Sequence, residues 1–278
     1  MKNNESVLHL KDKINPRDMI KSIKHASPFV RTEVIFQDEC GVELDRYENQ
    51  TVLGGAITVL EKCWGITSTL VIDTINNIMG IANTGVAVDP KDVVVCLFGV
   101  GTGGSGDAIG TVKDVKFYER EVFDMVPLRF TDPINLTTEE LTKYWFKSVQ
   151  PDGRIAYYMK KFEIPPIIKV LWKDAQGDED GSEVENGVHN TNRTEPIETF
   201  VEMVLKITKK DIREWFEETG NIELARFNSI GLFTGALGTL ADSTQDYKNV
   251  KMIAKLNIGN EMLEYAKELT IIYRIYTS

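Results

Sequence analysis

Histidine and cysteine, which carry most nucleophilic and metal chemistry, are scarce here, with three of each in 278 residues. Cys40, Cys63 and Cys96 are widely separated, and none sits in a C-x-x-C pair or beside a histidine, which excludes a zinc knuckle or redox pair built from sequence neighbours. They read as buried free thiols, because an unpaired cysteine behaves as a small hydrophobe. His9, His25 and His189 fall in segments predicted as arm or loop, and none has a second ligand at helix or strand spacing. No G-x-S-x-G elbow or H-E-x-x-H helix is present. Long apolar runs are missing too: none reaches the roughly 18 residues a spanning helix needs. The first six residues are polar where a secretory signal is hydrophobic, so the expectation is a soluble chain made in the cytoplasm. Positive charge is in deficit, with 32 Lys+Arg against 42 Asp+Glu and a net charge of -10. Such a field repels phosphate backbones and anionic membranes, so neither a membrane nor sequence-specific contact with nucleic acid is expected.

Glycine is abundant, and five of the 21 glycines fall between Gly99 and Gly106. Following the apolar run Val93 to Phe98, Gly99, Gly101 and Gly104 satisfy G-x-G-x-x-G. That fingerprint binds a dinucleotide only when a strand and tight turn lead into a helix whose N-terminal amides meet the pyrophosphate. Here Gly106 and Gly110 would each cost a helix about 1 kcal/mol relative to alanine, and a further strand is predicted from Val115. The crossover helix has no room. A P-loop fails because Ser105-Gly106 stands where Lys-Ser/Thr is required. The reading is a glycine-rich connection with unusual backbone freedom, whose residues Gly101, Thr102, Gly103, Gly104 and Ser105 settle against a neighbouring subunit. A nucleotide- or sugar-phosphate-binding enzyme using Gly99, Gly101 and Gly104 is the alternative, and a cellular adaptor or scaffold is a second. No cofactor is expected.

Gln176 to Gly181 resembles half of a calcium loop, with Asp178 and Asp180 as candidate ligands. Aligning Gly181 with the invariant glycine puts Gln176 and Gly187 at the two anchor positions, where acids are needed. A solvated acidic loop is the simpler expectation.

The fold class expected is α+β: an N-terminal arm over 1–28, a mixed α/β region over 29–150, and a β-rich domain over 151–278 with an exposed acidic loop at 177–196. A hairpin is predicted from Glu33–Gln37 and Glu43–Tyr47 around a turn with Asp38 and Gly41. Helices are predicted from Gly55 to Trp64, from Thr69 to Met79, and from Thr137 through Trp145. Strands are expected over Val93–Phe98, Val115–Val122, Ile155–Phe162, Ile167–Trp172, Ile197–Ile207, Leu224–Phe233, Val250–Leu256 and Leu269–Tyr276. Thr208, with Asp211 three residues on, predicts a capped helix to Thr219 that packs on the sheet and stops at Gly220.

Phe227-Asn228-Ser229-Ile230-Gly231-Leu232-Phe233, followed by Glu268-Leu269-Thr270-Ile271-Ile272-Tyr273-Arg274-Ile275-Tyr276, resembles a pattern of virion proteins of tailed bacteriophages. It covers roughly the last 50 residues. The resemblance implies a non-enzymatic structural subunit of the particle, in the neck, tail or baseplate, made in the host cytoplasm. Such a subunit would form a homo-oligomeric ring with itself and other virion proteins through arm and loop contacts.

Overall fold

A computed structural model of the chain describes residues 31–65, 74–81, 89, 92–106, 111–173, 179–185, 196–222, 225–259 and 268–277. The expected N-terminal arm lies outside them. In chain order the elements begin with β1 (Arg31–Gln37), β2 (Glu43–Tyr47), β3 (Gln50–Thr51), α1 (Leu53–Trp64), α2 (Ile75–Ile78) and β4 (Val94–Gly101). Next come β5 (Met125–Val126), β6 (Arg129–Thr131), α3 (Thr138–Leu141), β7 (Tyr144–Val149), β8 (Ile155–Lys161) and β9 (Ile164–Lys173). The remainder are β10 (Glu179–Glu185), β11 (Pro196–Ile207), α4 (Arg213–Glu218), β12 (Ser229–Thr239), β13 (Gln245–Asn257) and β14 (Leu269–Thr277).

These form two antiparallel sheets. The first has six strands in the order β10-β9-β11-β14-β1-β2; the second has eight, running β3-β13-β12-β4-β8-β6 with β5 beside β4 and β7 beside β8. Strand periodicity explains how they pack, since alternate side chains face opposite ways. Met203, Leu205 and Ile207 of β11 and Leu269, Ile271 and Tyr273 of β14 share a core with Phe98, Val100, Ile230, Leu232 and Leu256 of the second sheet. The other face of the second sheet holds Leu97, Phe233, Met252 and Val250, covered by Ile75 of α2 and by Trp145 and Phe146 of β7. Helices are few and short, so the protein is mostly β.

The expected boundary near residue 150 falls in the turn between β7 and β8, which pair with each other. Both sheets draw strands from each side of it, since β1 and β2 join β9, β10, β11 and β14. The predicted hairpin is present, with Val34 opposite Tyr47 and the turn held by Asp38 Oδ1, which accepts from the Cys40 and Val42 amides, both at 2.9 Å. Pro165 and Pro166, which fall between the strands expected over Ile155–Phe162 and Ile167–Trp172, lie within β9, where its register against β11 shifts.

Four local expectations fail for identifiable reasons. Val115–Val122 is not a strand: Phe117 and Tyr118 are exposed while Glu119 is buried, an inverted polarity that no half-buried ladder would tolerate. The acidic stretch 177–196 contains β10, paired with β9. The helix after Thr208 starts only at Arg213, because the Asp211 carboxylate turns inward and Ile212 takes a left-handed φ of 61°. The helix from Thr137, where Thr137 and Glu140 form a capping box, ends at Leu141, and Tyr144 and Trp145 belong to β7. Of the helix expected over 69–79, one turn at Ile75–Ile78 is described, and residues 69–73 lie outside the described residues. Of the thiols read as buried, Cys40 and Cys63 are exposed and Cys96 is half-buried.

Candidate functional site

The strand before the glycine stretch runs further than expected: β4 continues through Gly101. Gly99 and Gly101 therefore take the positions that alternate with Phe98 and Val100, on the outer face of the second sheet. The register places Gly231 of β12 opposite Gly99 and Ser229 opposite Gly101. Lys255 and Asn257 of β13 continue these two rows. Three glycines and a serine thus make a shallow floor across two strands, and the segment before β5 lies on it. Cβ atoms built at Gly99, Gly101 and Gly231 would collide with Met125, with the Phe123 carbonyl and with Val122, respectively. None of the glycines from 99 to 106 takes a positive φ. Gly99, Gly101, Gly103 and Gly104 serve close approach, which corrects the expectation of backbone freedom there.

Asn228 ties the end of this floor. Its Oδ1 accepts from the Gly104 amide at 2.6 Å, its Nδ2 donates to Ser105 Oγ at 2.9 Å, and its own amide donates to the Gly101 carbonyl at 2.9 Å. The covering segment is clipped from β13: Asn257 Nδ2 donates to the Lys113 carbonyl at 2.9 Å, and Lys255 Nζ meets Glu119 Oε2 at 2.5 Å. Lys255 is fully buried, with its ammonium 3.0 Å from the Phe123 ring centroid. Burial pulls its pKa below the ordinary lysine value, and the Glu119 ion pair opposes that pull. The glycine stretch and the Asn228-to-Phe233 motif, separate in sequence, are one packed unit.

That unit is poorly suited to a phosphate. A phosphate loop needs free amides, but Thr102 donates to the Asp124 carbonyl at 3.0 Å, Gly103 to the Phe123 carbonyl at 3.1 Å and Gly106 to the Thr111 carbonyl at 2.8 Å. The Gly104 amide is taken by Asn228. Gly101, Gly103 and Gly104 are buried by the same chain, leaving Thr102 and Ser105 half-exposed. What reaches solvent is the cover: Val112 is 45 %, Phe117 53 % and Tyr118 64 % exposed. Of the candidate calcium ligands, Asp180 lies in the extended strand β10 and Asp178 lies outside the described residues. Among the described residues no cluster of three or more His, Cys, Asp and Glu converges on a point.

A second polar centre, absent from the sequence reading, lies between the sheets. Lys160 Nζ donates to Asp211 Oδ2 and to the Lys206 carbonyl, each at 2.8 Å. Tyr144 donates to Asp211 Oδ1 at 2.7 Å, and the Thr208 amide donates to Asp211 Oδ2 at 2.7 Å. Arg129 forms a bidentate pair with Glu214, at 3.0 and 2.8 Å, and reaches Glu140 at 3.2 Å. Its guanidinium lies 5.4 Å from the Tyr144 ring centroid, which joins the two groups. Lys, Tyr and Asp together suggest acid–base chemistry, but the Lys160 and Asp211 side chains are 3 % and 0 % exposed. Burial and Asp211 push the Tyr144 hydroxyl well above its ordinary value. The arrangement is a fully partnered clamp joining β8 of one sheet to the end of β11 in the other. Sequence offered one signal for it, a lysine where β8 alternation calls for an apolar residue.

At its rim, the Thr137 amide first, then Arg129 and Lys210, hold the Glu140 carboxyl at about 2 against an ordinary 4.5. A lowered folded-state pKa stabilises above the unfolded value, and this contribution is lost as pH falls from 4.5 towards 2. Urea midpoints of the wild type and Glu140→Gln are expected to differ most above this window and to converge within it. A difference that stays constant across the window would contradict the assignment.

No family model, curated protein or solved structure matches the chain.

Proposed function

We propose that the chain is a structural subunit of a tailed-bacteriophage particle, at the head-to-tail neck or elsewhere in the tail, which joins copies of itself into a ring. The observation that carries the assembly reading is the exposure of Val112, Phe117 and Tyr118 in one seven-residue segment, tied to β13 through the Lys113 carbonyl. Single exposed apolar residues need no explanation, but three large ones on one fixed segment are what a contact surface presents. The contact residues are thus Val112, Phe117 and Tyr118, together with half-exposed Thr102 and Ser105, rather than the glycines. The particle assignment comes from the phage-like pattern at Phe227–Phe233 and Glu268–Tyr276. Those stretches lie on β12 and β14, interior strands of the two sheets. Closed rings use heterologous contacts, which one such patch and a complementary surface supply.

Native mass spectrometry of the purified chain, alone and with candidate particle proteins, tests this. A discrete oligomer is expected, and Phe117→Ser with Tyr118→Ser should reduce it to monomer without moving the thermal transition. A chain that stays monomeric and joins no particle protein overturns the proposal.

A further inference from the structure

β4 is open along part of one edge. On one side β12 accompanies it from Val94 onwards; on the other, β8 pairs only with Leu97 and Phe98. The cause is a crossover. After Lys161 the chain leaves the second sheet, so that the Glu163 amide donates to the Val204 carbonyl of β11 at 2.7 Å and β9 begins opposite Val204. Apart from a 3.4 Å bond from the Phe162 amide to the Cys96 carbonyl, nothing among the described residues continues the ladder beside Val94 to Cys96.

This gap opens into a cleft of about 680 Å³. Val94, Val95, Phe162, Pro165 and Pro166 supply apolar walls, and the prolines have no amide with which to close the gap from the far side. The charged residues lining the cleft are both lysines, Lys62 and Lys161, in a chain of net charge -10. Lys161 Nζ rests 5.2 Å from the Trp145 ring centroid and 5.7 Å from that of Tyr247, and pairs with no carboxylate among the described residues. Burial raises the Cys96 thiol to about 11, so it stays protonated and serves as wall.

We infer that this cleft receives an extended acidic–apolar peptide segment of another polypeptide, added as a strand along Val94 to Cys96, with a carboxylate on Lys161 and an aliphatic side chain between Val94 and Pro166. Strand addition to an open edge draws affinity from the main chain and specificity from flanking pockets. Here the pockets are apolar and cationic. The inference stands on the cleft alone and holds whether or not the protein belongs to a phage particle.

The test uses the full chain with a fluorescent, terminally blocked hexapeptide alternating glutamate and valine. Saturable binding is expected, with slowed hydrogen exchange at Val94 to Cys96. Lys161→Glu should weaken binding about tenfold or more, as loss of a charge-assisted hydrogen bond implies, whereas Lys161→Arg retains it; both variants are expected to unfold cooperatively at temperatures well above that of the binding assay. If Lys161→Glu does not fold, Lys161→Met serves, with the same direction expected. Absence of binding, equal binding of a lysine–valine peptide, or affinity indifferent to Lys161 overturns the inference. So does decanoate binding that the peptide fails to displace, which would mark a small-molecule carboxylate site.

Discussion

Replacing Lys160 by methionine is expected to destabilise the protein by about 3–5 kcal/mol, the range for removing one partner of a buried ion pair. Methionine fills a similar volume, so packing changes little and the loss is electrostatic. Asp211, with a fully buried side chain, would keep the Tyr144 hydroxyl and the Thr208 amide but lose its cationic partner, Lys160. The Lys206 carbonyl would also lose its Lys160 donor. Adding Asp211→Asn should recover part of the deficit, because the neutral amide removes the unpaired charge while its oxygen can still accept from Tyr144 or Thr208. Urea unfolding of the wild type and the single and double variants measures this. A Lys160→Met protein within about 1 kcal/mol of wild type would show that the clamp does not hold the sheets together.

The glycine stretch carries the other large effect, with a control two residues away. At Gly104 an added Cβ would collide with the Asn228 carbonyl, a backbone group held by the Ile258 amide at 2.8 Å. Neither side can yield without breaking the β4–β12 junction, so Gly104→Ala should cost more than the roughly 1–3 kcal/mol of ordinary overpacking. At Gly106 the nearest atom to an added Cβ is Thr111 Oγ1 at 3.4 Å, an ordinary contact. Gly106→Ala should therefore leave stability within about 1 kcal/mol of wild type or raise it slightly, by restricting the unfolded chain. Thermal unfolding of the two variants separates close packing from flexibility. Equal tolerance of both substitutions would mean the stretch is a loose connection.

What the sequence revealed and what it concealed divide by range. The β1–β2 hairpin, the long alternation of β11 and the central strand β14 announce themselves through turn chemistry or a period of two, both local signals. Thr208 misled because Asp211, although it accepts the Thr208 amide, also binds Lys160, 51 residues earlier in sequence, and the left-handed Ile212 delays the helix to Arg213. The glycine floor was hidden for the same reason. Gly99 and Gly231 lie opposite one another only through the β4–β12 register, and glycines in a row look like a loop until their neighbours across the sheet are known. Residues 117–119 invert the expected burial, which no local sequence signal announces. Their exposed aromatics and buried Glu119 make sense only once Lys255 is placed beneath them.

Amide hydrogen exchange over Gly99 to Ser105, in the isolated chain and again with NAD, NADP, ATP and GTP, tests most directly whether this stretch is a packed floor or a phosphate cradle. With the Thr102, Gly103 and Gly104 amides donating to Asp124, Phe123 and Asn228, slow exchange in the free protein is expected, unchanged by any of the nucleotides. Fast exchange that slows when a nucleotide is added would contradict the account, since those amides would then be free to take a phosphate.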